Sequence, residues 1–106
     1  MSMKNPVHPG KIIKSQCIEP VGLSVTQAAK ALGVNRSGLY RILGGETAVT
    51  ANLAVRLEKL GWATSEVWMK MQMQYDLAEA RKDRTIKVDR RHLPRGHGGG
   101  AAQPVV

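Results

Sequence analysis

The sequence contains a single cysteine, Cys17, and no phenylalanine. One thiol can form neither an intrachain disulfide nor a cysteine-rich zinc site, so the fold has to be held together by packing. The only aromatic residues are two tyrosines and two tryptophans, which leaves Leu, Ile, Val, Ala and Met to build the core. Because Ala, Leu and Met lose little side-chain freedom in a helix, this composition favours a helical fold.

Long apolar runs and acidic residues are also scarce. No run approaches the roughly 18 to 20 apolar residues of a membrane span, and the N-terminus has no apolar stretch suited to a signal peptide, so we expect a soluble cytoplasmic protein. Eight Asp and Glu stand against 16 Lys and Arg, which gives a net charge of +8 on 106 residues. The length fits one domain, and the charge favours a polyanionic partner, either nucleic acid or an acidic membrane surface.

Cap and turn signals divide residues 8–82 into five predicted helices. Ser24 followed by Gln27 matches a capping box that starts a helix at Val25, and Gly33 can adopt the left-handed conformation that ends it. The predicted helices run from Pro9 to a stop at Pro20, from Val25 to Gly33, from Asn35 to Leu43, from Thr50 to a stop at Gly61, and from Thr64 or Ser65 to roughly Lys82. The one weak strand candidate is Thr85 to Val88, so the sequence predicts an all-α fold.

The second and third predicted helices resemble a DNA-reading pair. Two short helices joined through a tight turn, the second with polar side chains exposed at its start, form the arrangement that places a recognition helix in the major groove. Helical periodicity turns Leu39, Ile42 and Leu43 inward. It leaves Arg36, Ser37, Tyr40 and Arg41 outside. Gly38 within this helix indicates either close approach to a neighbour or to DNA, or simple tolerance.

The fifth predicted helix carries two apolar stripes. Trp68, Met71, Tyr75 and Ala78 form the first stripe, and Met69, Met73, Leu77 and Ala80 form the second. A helix that is apolar on two sides usually has two surfaces to cover, so the second stripe predicts pairing with another copy of the chain. The alternative is that both stripes face one wide core. We take Trp68, Met69, Met73 and Leu77 as the candidate dimer interface.

The two ends of the chain differ in composition from the centre. Residues 1–7 are expected to be flexible, and residues 83–106 to form a flexible basic tail. Seven basic residues and only two acidic ones follow from Arg81 onward, ahead of a glycine run. Such a segment cannot bury enough apolar surface to become ordered by itself. The tail is either an electrostatic clamp on DNA or a solvated segment without a dedicated role.

Candidate catalytic groups are poorly arranged for an enzyme. His8, His92 and His97 are scattered, and no pair has the i, i+4 spacing of a helical metal site. Gly44 and Gly45 lack the strand, Lys and Ser or Thr of a phosphate-binding loop. Cys17 is interpreted as a small core residue. We therefore expect no enzymatic activity, no metal and no cofactor.

Residues 8–81 resemble the HigA-type antitoxins of the VapI group. The most specific pieces are the opening HPG, the later EP-G-LS, the core LSVTQAAKALGVNRS and the ending WMKMQMQYDL, in this order and spacing. The resemblance implies a five-helix fold of the phage-repressor class and a homodimer on a palindromic operator in double-stranded DNA. Many members of this family also have a partner toxin, so the resemblance implies a small basic ribonuclease that cleaves messenger RNA on the ribosome.

Matching the third helix to the recognition helix of that family assigns candidate roles. Arg36, Ser37 and Arg41 fall at base-reading positions, and Tyr40 faces the DNA backbone. For Ser24, Thr26, Asn35, Thr47 and Thr50 the alternatives are helix capping alone or phosphate contact as well, and Gln27 could serve both its capping box and DNA. The predicted function is a sequence-specific repressor, the antitoxin of a HigBA-like pair that controls its own operon. The alternatives are an antitoxin that acts mainly by neutralising its toxin through protein contact, and a stand-alone regulator of the XRE type.

Overall fold

A computed structural model describes residues 5–94, and helices make up most of that part of the chain. The helices are α1 (Pro9–Ile12), which continues directly as a π-helical segment (Ile13–Ile18), α2 (Val25–Leu32), α3 (Arg36–Leu43), α4 (Ala51–Lys59), α5 (Ser65–Lys82) and a 3-10 turn (Arg90–His92). The all-α prediction is confirmed, since residues 5–94 contain no strand and the weak candidate at Thr85 to Val88 is not one. None of the helices described is long and apolar enough to cross a lipid bilayer.

Side-chain caps explain why the helices begin where the sequence predicts. The Ser24 hydroxyl accepts a hydrogen bond from the Gln27 amide at 3.1 Å, and the Gln27 side chain accepts one from the Ser24 amide at 2.8 Å, which completes the capping box. Asn35 caps α3 through a 3.1 Å bond from the Gly38 amide. Thr50 and Thr64 cap α4 and α5 in the same way. These bonds occupy backbone donors that would otherwise lack a partner at each helix start.

The first helix differs from its prediction in its second half. Residues 13–18 form a π-helical segment, in which each amide bonds five residues back, as the Glu19 amide does to the Lys14 carbonyl at 3.0 Å. This spacing brings Ile13 and Ile18 onto one side, and both are buried. Cys17, predicted for the core by α-helical periodicity, packs against the core but is only half-buried. A period of 3.6 residues therefore misplaced the inward face by one position.

The core lies where α1 to α5 and the π-helical segment meet, and it is aliphatic apart from one tryptophan. Its buried residues are Ile13, Ile18, Ala28, Ala29, Leu32, Leu39, Leu43, Val49, Leu53, Ala54, Leu57 and Trp68. Helix α5 packs against α4 and α1, while α3 packs against α1 and α2. The α1–α3 contact is so close that a β-carbon built on Gly10 would lie 1.8 Å from the Ile42 carbonyl oxygen. Only glycine fits at this position, so α1 helps to fix where α3 lies.

Part of each predicted flexible end lies outside the described residues, namely residues 1–4 and 95–106. The part of the predicted tail that the structure describes, residues 83–94, is exposed throughout. Asp89 organises its last turn by accepting hydrogen bonds from the Arg91 amide and guanidinium at 2.9–3.1 Å. These bonds hold the pKa of the Asp89 carboxyl below its ordinary value.

Candidate nucleic-acid interface

Helix α3 presents opposite faces to the core and to solvent. Leu39 and Leu43 are buried, at 1% and 4% exposure. Side chains four residues apart lie on the same side of a helix. The outward face therefore consists of two adjoining rows, Arg36 with Tyr40 and Ser37 with Arg41, all of them exposed. The exposure expected for these four side chains is present, and two guanidinium groups share one accessible surface.

The turn between α2 and α3 is fixed by Arg56, for which the sequence predicted no role. Gly33 adopts a left-handed conformation with φ of 72°. The Arg56 guanidinium, from α4, donates to the Leu32 carbonyl at 2.9 Å and to the Gly33 carbonyl at 3.3 Å. Asn52 holds the same guanidinium through a 2.7 Å bond from Nε. A positive charge thus caps the C-terminus of α2, where the helix dipole favours cations, and ties α4 to the turn before α3.

The polar residues predicted to contact the DNA backbone fall into two groups. Ser24, Gln27, Asn35 and Thr50 are exposed, and each takes part in a helix cap. Thr26 and Thr47 are also exposed but cap none of the described helices. Ser37, predicted to read bases, donates its hydroxyl to the Asn35 side chain at 2.7 Å, so it also supports the cap of α3. Capping alone therefore accounts for some of these residues but not for the two threonines.

The beginnings of α2, α3 and α4 have an electrostatic character suited to anions. The first turn of each of these three helices contains no acidic residue, whereas α5 carries Glu66 in its first turn. Helix starts expose unpaired backbone amides and the positive end of the helix dipole, and carboxylates there would repel a phosphate. The three helix starts that carry the predicted backbone contacts all lack such a carboxylate, as does the start of α1.

A cleft of about 260 Å³ lies between α3 and the start of α4. It brings together four of the predicted residues, Asn35, Arg41, Thr47 and Thr50, with Asn52, which the sequence analysis did not single out. Asn52 follows the Thr50 cap by two residues, and this position in the first turn of α4 was the available signal. Gly38 also lines the cleft. Since a β-carbon there would meet no atom nearer than 4.0 Å, packing within the chain does not require glycine at this position.

The two apolar stripes of α5 have different surroundings. The first stripe packs inward, with Trp68 buried and Met71, Tyr75 and Ala78 half-buried, whereas Met73 and Leu77 of the second stripe are 50% and 42% exposed. The second stripe is divided, because Met69 is half-buried and packs against the core of its own chain, whereas Met73 and Leu77 do not. The prediction for Trp68 also needs correction, because it is 2% exposed and its indole donates to the Trp62 carbonyl. Trp68 belongs to the core of its own chain, not to an outer face.

His8 and Cys17, which were not expected to take part in catalysis, lie in surroundings that favour a structural role. His8 accepts a hydrogen bond from the Gly10 amide at 2.9 Å and so caps α1, and burial lowers the pKa of its imidazole, against the opposing effects of Asp76 and the Thr47 backbone. Burial likewise raises the pKa of the Cys17 thiol, which disfavours the reactive thiolate. Within residues 5–94, no three His, Cys, Asp or Glu side chains come together as a metal site would need.

Comparison with known proteins places this geometry among helix-turn-helix proteins. Residues 14–60 match the family model described as "Helix-turn-helix". The chain is 39% identical to virulence-associated protein A′ of Dichelobacter nodosus over 81% of its own length and 75% of that protein. It is 31% identical to antitoxin HigA-1 of Vibrio cholerae over 74% and 73%, respectively. Among solved structures, Pseudomonas aeruginosa antitoxin HigA with the higBA promoter shares a TM-score of 0.70 at 28% identity, covering 74% of this chain and 85% of that one. Antitoxin GraA in complex with its operator shares a TM-score of 0.68 at 29% identity, covering 100% and 96%.

Proposed function

The chain belongs to the helix-turn-helix family of the HigA-type antitoxins, and on that premise we propose that it is a sequence-specific DNA-binding repressor that controls its own operon. The observation that carries the proposal is the outward face of α3, where Arg36 and Arg41 stand exposed on the side opposite Leu39 and Leu43. Solved relatives with this fold include one with its promoter and one in complex with its operator. The chain thus acts by binding and not by catalysis, and it acts on DNA in the cytoplasm.

Arg36 and Arg41 are the proposed base-reading residues, together with Ser37. An arginine can hold guanine O6 and N7 through two parallel hydrogen bonds in the major groove, which discriminates against a wrong base by about 1–3 kcal/mol. The helix starts at Val25, Arg36 and Ala51 would receive phosphates, assisted by the side chains of Ser24, Thr26, Gln27, Asn35, Tyr40, Thr47 and Thr50. Phosphate contacts fix the position of the protein on the duplex, and the arginines supply the sequence preference.

Fluorescence anisotropy with a labelled duplex from upstream of the gene tests this assignment. Arg36→Ala and Arg41→Ala should each weaken binding to that duplex by roughly tenfold or more and reduce its preference over a scrambled duplex. Arg84→Ala is the matched control, since Arg84 is exposed beyond the end of α5. Loss of this charge can weaken binding to both duplexes only to the same degree. Equal affinity of the wild-type chain for the two duplexes would contradict the proposal.

The second stripe of α5 is the proposed homodimer interface, with Met69, Met73 and Leu77 at its centre. Met73 and Leu77 are large apolar side chains exposed on a helix whose other side already packs against the core. Apolar residues of this type form the cores of protein interfaces. A twofold pair would set two α3 helices about 34 Å apart, which matches one turn of DNA and therefore a palindromic operator.

Sedimentation velocity distinguishes this interface from an unrelated exposed surface. Met73→Glu and Leu77→Glu should shift the chain from dimer to monomer, because a carboxylate would be buried unpaired at the interface. Val67→Glu is the control, as Val67 is also a 45% exposed apolar residue of α5 but lies on another side of the helix. A wild-type chain that sediments as a monomer at micromolar concentration would refute the interface.

Family membership also supports the antitoxin role, in which the chain binds a small basic ribonuclease toxin. The test is co-expression with the product of the adjacent reading frame. We expect co-purification of the two proteins and relief of the growth arrest that the neighbour causes alone. A chain that relieves the arrest in its Arg36→Ala form acts mainly through protein contact, whereas a chain without such a neighbour is a stand-alone regulator of the XRE type.

A further inference from the structure

Gln72 is a polar residue on the packed side of α5, where it is only 4% exposed. Both ends of its amide are engaged. The Oε1 atom accepts a hydrogen bond from the Val49 backbone amide at 2.8 Å, and Nε2 donates to the Asp76 carboxylate at 2.8 Å. Val49 itself is 1% exposed, so no solvent can replace this acceptor. A buried amide without a partner is costly, and Gln72 supplies that partner from 23 residues away.

Val49 lies in the connection between α3 and α4. The first part of this connection is bonded back to α3, since the amides of Gly45 and Glu46 donate to the Ile42 and Arg41 carbonyls. The last part begins α4 through the Thr50 carbonyl. The amide of Val49 is anchored between these parts by α5 alone. Thr47 and Thr50, both exposed, lie two residues before and one residue after this buried residue, so the position of Val49 limits where both can lie.

The partners of Gln72 also fix which way its amide faces. The Val49 amide requires an acceptor, and the Asp76 carboxylate oxygen that faces Gln72 requires a donor. A flipped amide would place a donor against the first and an oxygen against the second. The two bonds therefore select one orientation jointly, and Asp76 holds the acceptor of Gln72 toward the α3–α4 connection.

We propose that Gln72, held by Asp76, is a positioning residue for DNA binding that sets the α3–α4 connection so that Thr47 and Thr50 meet the phosphate backbone. This inference rests on the proposed function and deepens it. Gln72 cannot touch a duplex, because its side chain is buried where α5 packs against Val49. Its influence has to pass through the position of the connection, which makes the proposal separable from a direct contact.

The test measures operator affinity by anisotropy at a temperature where every variant is fully folded. Gln72→Met keeps the length of the side chain but removes the acceptor, and it should weaken operator binding about tenfold, in keeping with the penalty for a buried unpaired donor. Gln72→Glu keeps an acceptor but sets a second carboxylate against Asp76, so binding should also weaken. Adding Asp76→Asn to Gln72→Glu restores a donor facing an acceptor and should recover the affinity. Gln74→Met, the same change at an exposed position of α5, should stay within about twofold of wild type.

A double-mutant cycle with Thr47→Ala separates positioning from a purely structural role. If Gln72 acts through the connection, Gln72→Met should cost less affinity once the Thr47 contact is gone. A purely structural role would leave the two affinity losses additive, which would overturn the proposal. Should Gln72→Met not fold, the comparison of Gln72→Glu with its Asp76→Asn partner decides, and absence of rescue counts against the proposal. If the wild-type chain binds its operator and Gln72→Met binds it equally well, only the positioning role is refuted. A wild-type chain that ignores the operator refutes the proposed function, and the positioning role falls with it.

Discussion

The close backbone approach of α1 to α3 at Gly10 makes Gly10→Ala a sharp test of the fold. Gly10 is buried in α1, and a β-carbon there would stand 1.8 Å from the Ile42 carbonyl oxygen and 2.7 Å from its carbon. Real β-carbons essentially never come within 3.0 Å of such atoms. The obstructing atoms are backbone and cannot rotate away, so α1 and α3 have to separate by more than 1 Å.

Two opposing effects set the size of the change. Forcing an extra carbon into a packed interior costs about 1–3 kcal/mol and sometimes more. Replacing glycine by alanine within a helix returns up to about 1 kcal/mol. The contact distance is extreme and the clash is with backbone, so we expect the upper part of the first range and a net loss of about 2 kcal/mol. For a domain of this size that loss lowers the unfolding temperature by about 10 °C.

Thermal and urea unfolding followed by far-ultraviolet circular dichroism measure this effect. Gly38→Ala is the matched control, because it makes the same change in α3 where a β-carbon meets nothing nearer than 4.0 Å. That variant should unfold at the wild-type temperature or up to several degrees higher, since only the gain in helix propensity remains. A Gly10→Ala variant as stable as Gly38→Ala would show that the α1–α3 contact admits a β-carbon at this position.

Three further predictions concern pH, the α2–α3 turn and the caps. Burial lowers the pKa of His8 below its ordinary value of 6.5, so the unfolded chain takes up this proton first. Urea unfolding should therefore show stability that is complete above pH 6.5 and falls below it, a loss that His8→Asn should abolish. Arg56→Lys should lower the free energy of unfolding by about 1–2 kcal/mol, because an ammonium cannot bond Asn52 and both carbonyls of the turn as the guanidinium does. Thermal melts measure this loss, and an unchanged melt would contradict it. Asn35→Asp should leave stability unchanged or higher, since Asp caps a helix as well as Asn does. Its carboxylate should weaken DNA binding, measured by anisotropy, because it repels phosphate. Undiminished binding would assign Asn35 to capping alone.

The helix boundaries could be predicted from sequence because their causes are local. A capping box such as that of Ser24 and Gln27 involves residues three apart, and a left-handed glycine such as Gly33 acts on the turn that contains it. The same locality explains the outward face of α3, where helical periodicity alone separates Arg36 and Arg41 from Leu39. For these elements the sequence spacing already contains the geometry.

The features that escaped prediction depend on partners distant in the chain or on an irregular backbone. Gln72 carries no sign of its role until α5 is packed beside Val49, and Arg56 becomes a helix cap only when α4 crosses the end of α2. The π-helical segment shifted the buried position from Cys17 to Ile18, which no regular period predicts. Trp68 looked like an interface residue because composition does not reveal which of two apolar stripes faces the core.

Helices α2 and α3 are eight residues long, and helices shorter than about 12–15 residues are marginal on their own, so both depend on their caps and on packing. A helix start leaves four unpaired backbone amides, and each cap accepts a hydrogen bond from only some of them. In α3 the Asn35 side-chain oxygen accepts from the Gly38 amide, while the amides earlier in the first turn point away from the helix and have no carbonyl partner within it. A phosphate would engage those remaining donors without displacing the cap. Capping and phosphate contact are therefore compatible at the helix starts, and DNA should stabilise the fold by adding partners rather than by rearranging it. Thr26 and Thr47, which cap none of the described helices, are two positions where phosphate contact can be tested without disturbing a cap.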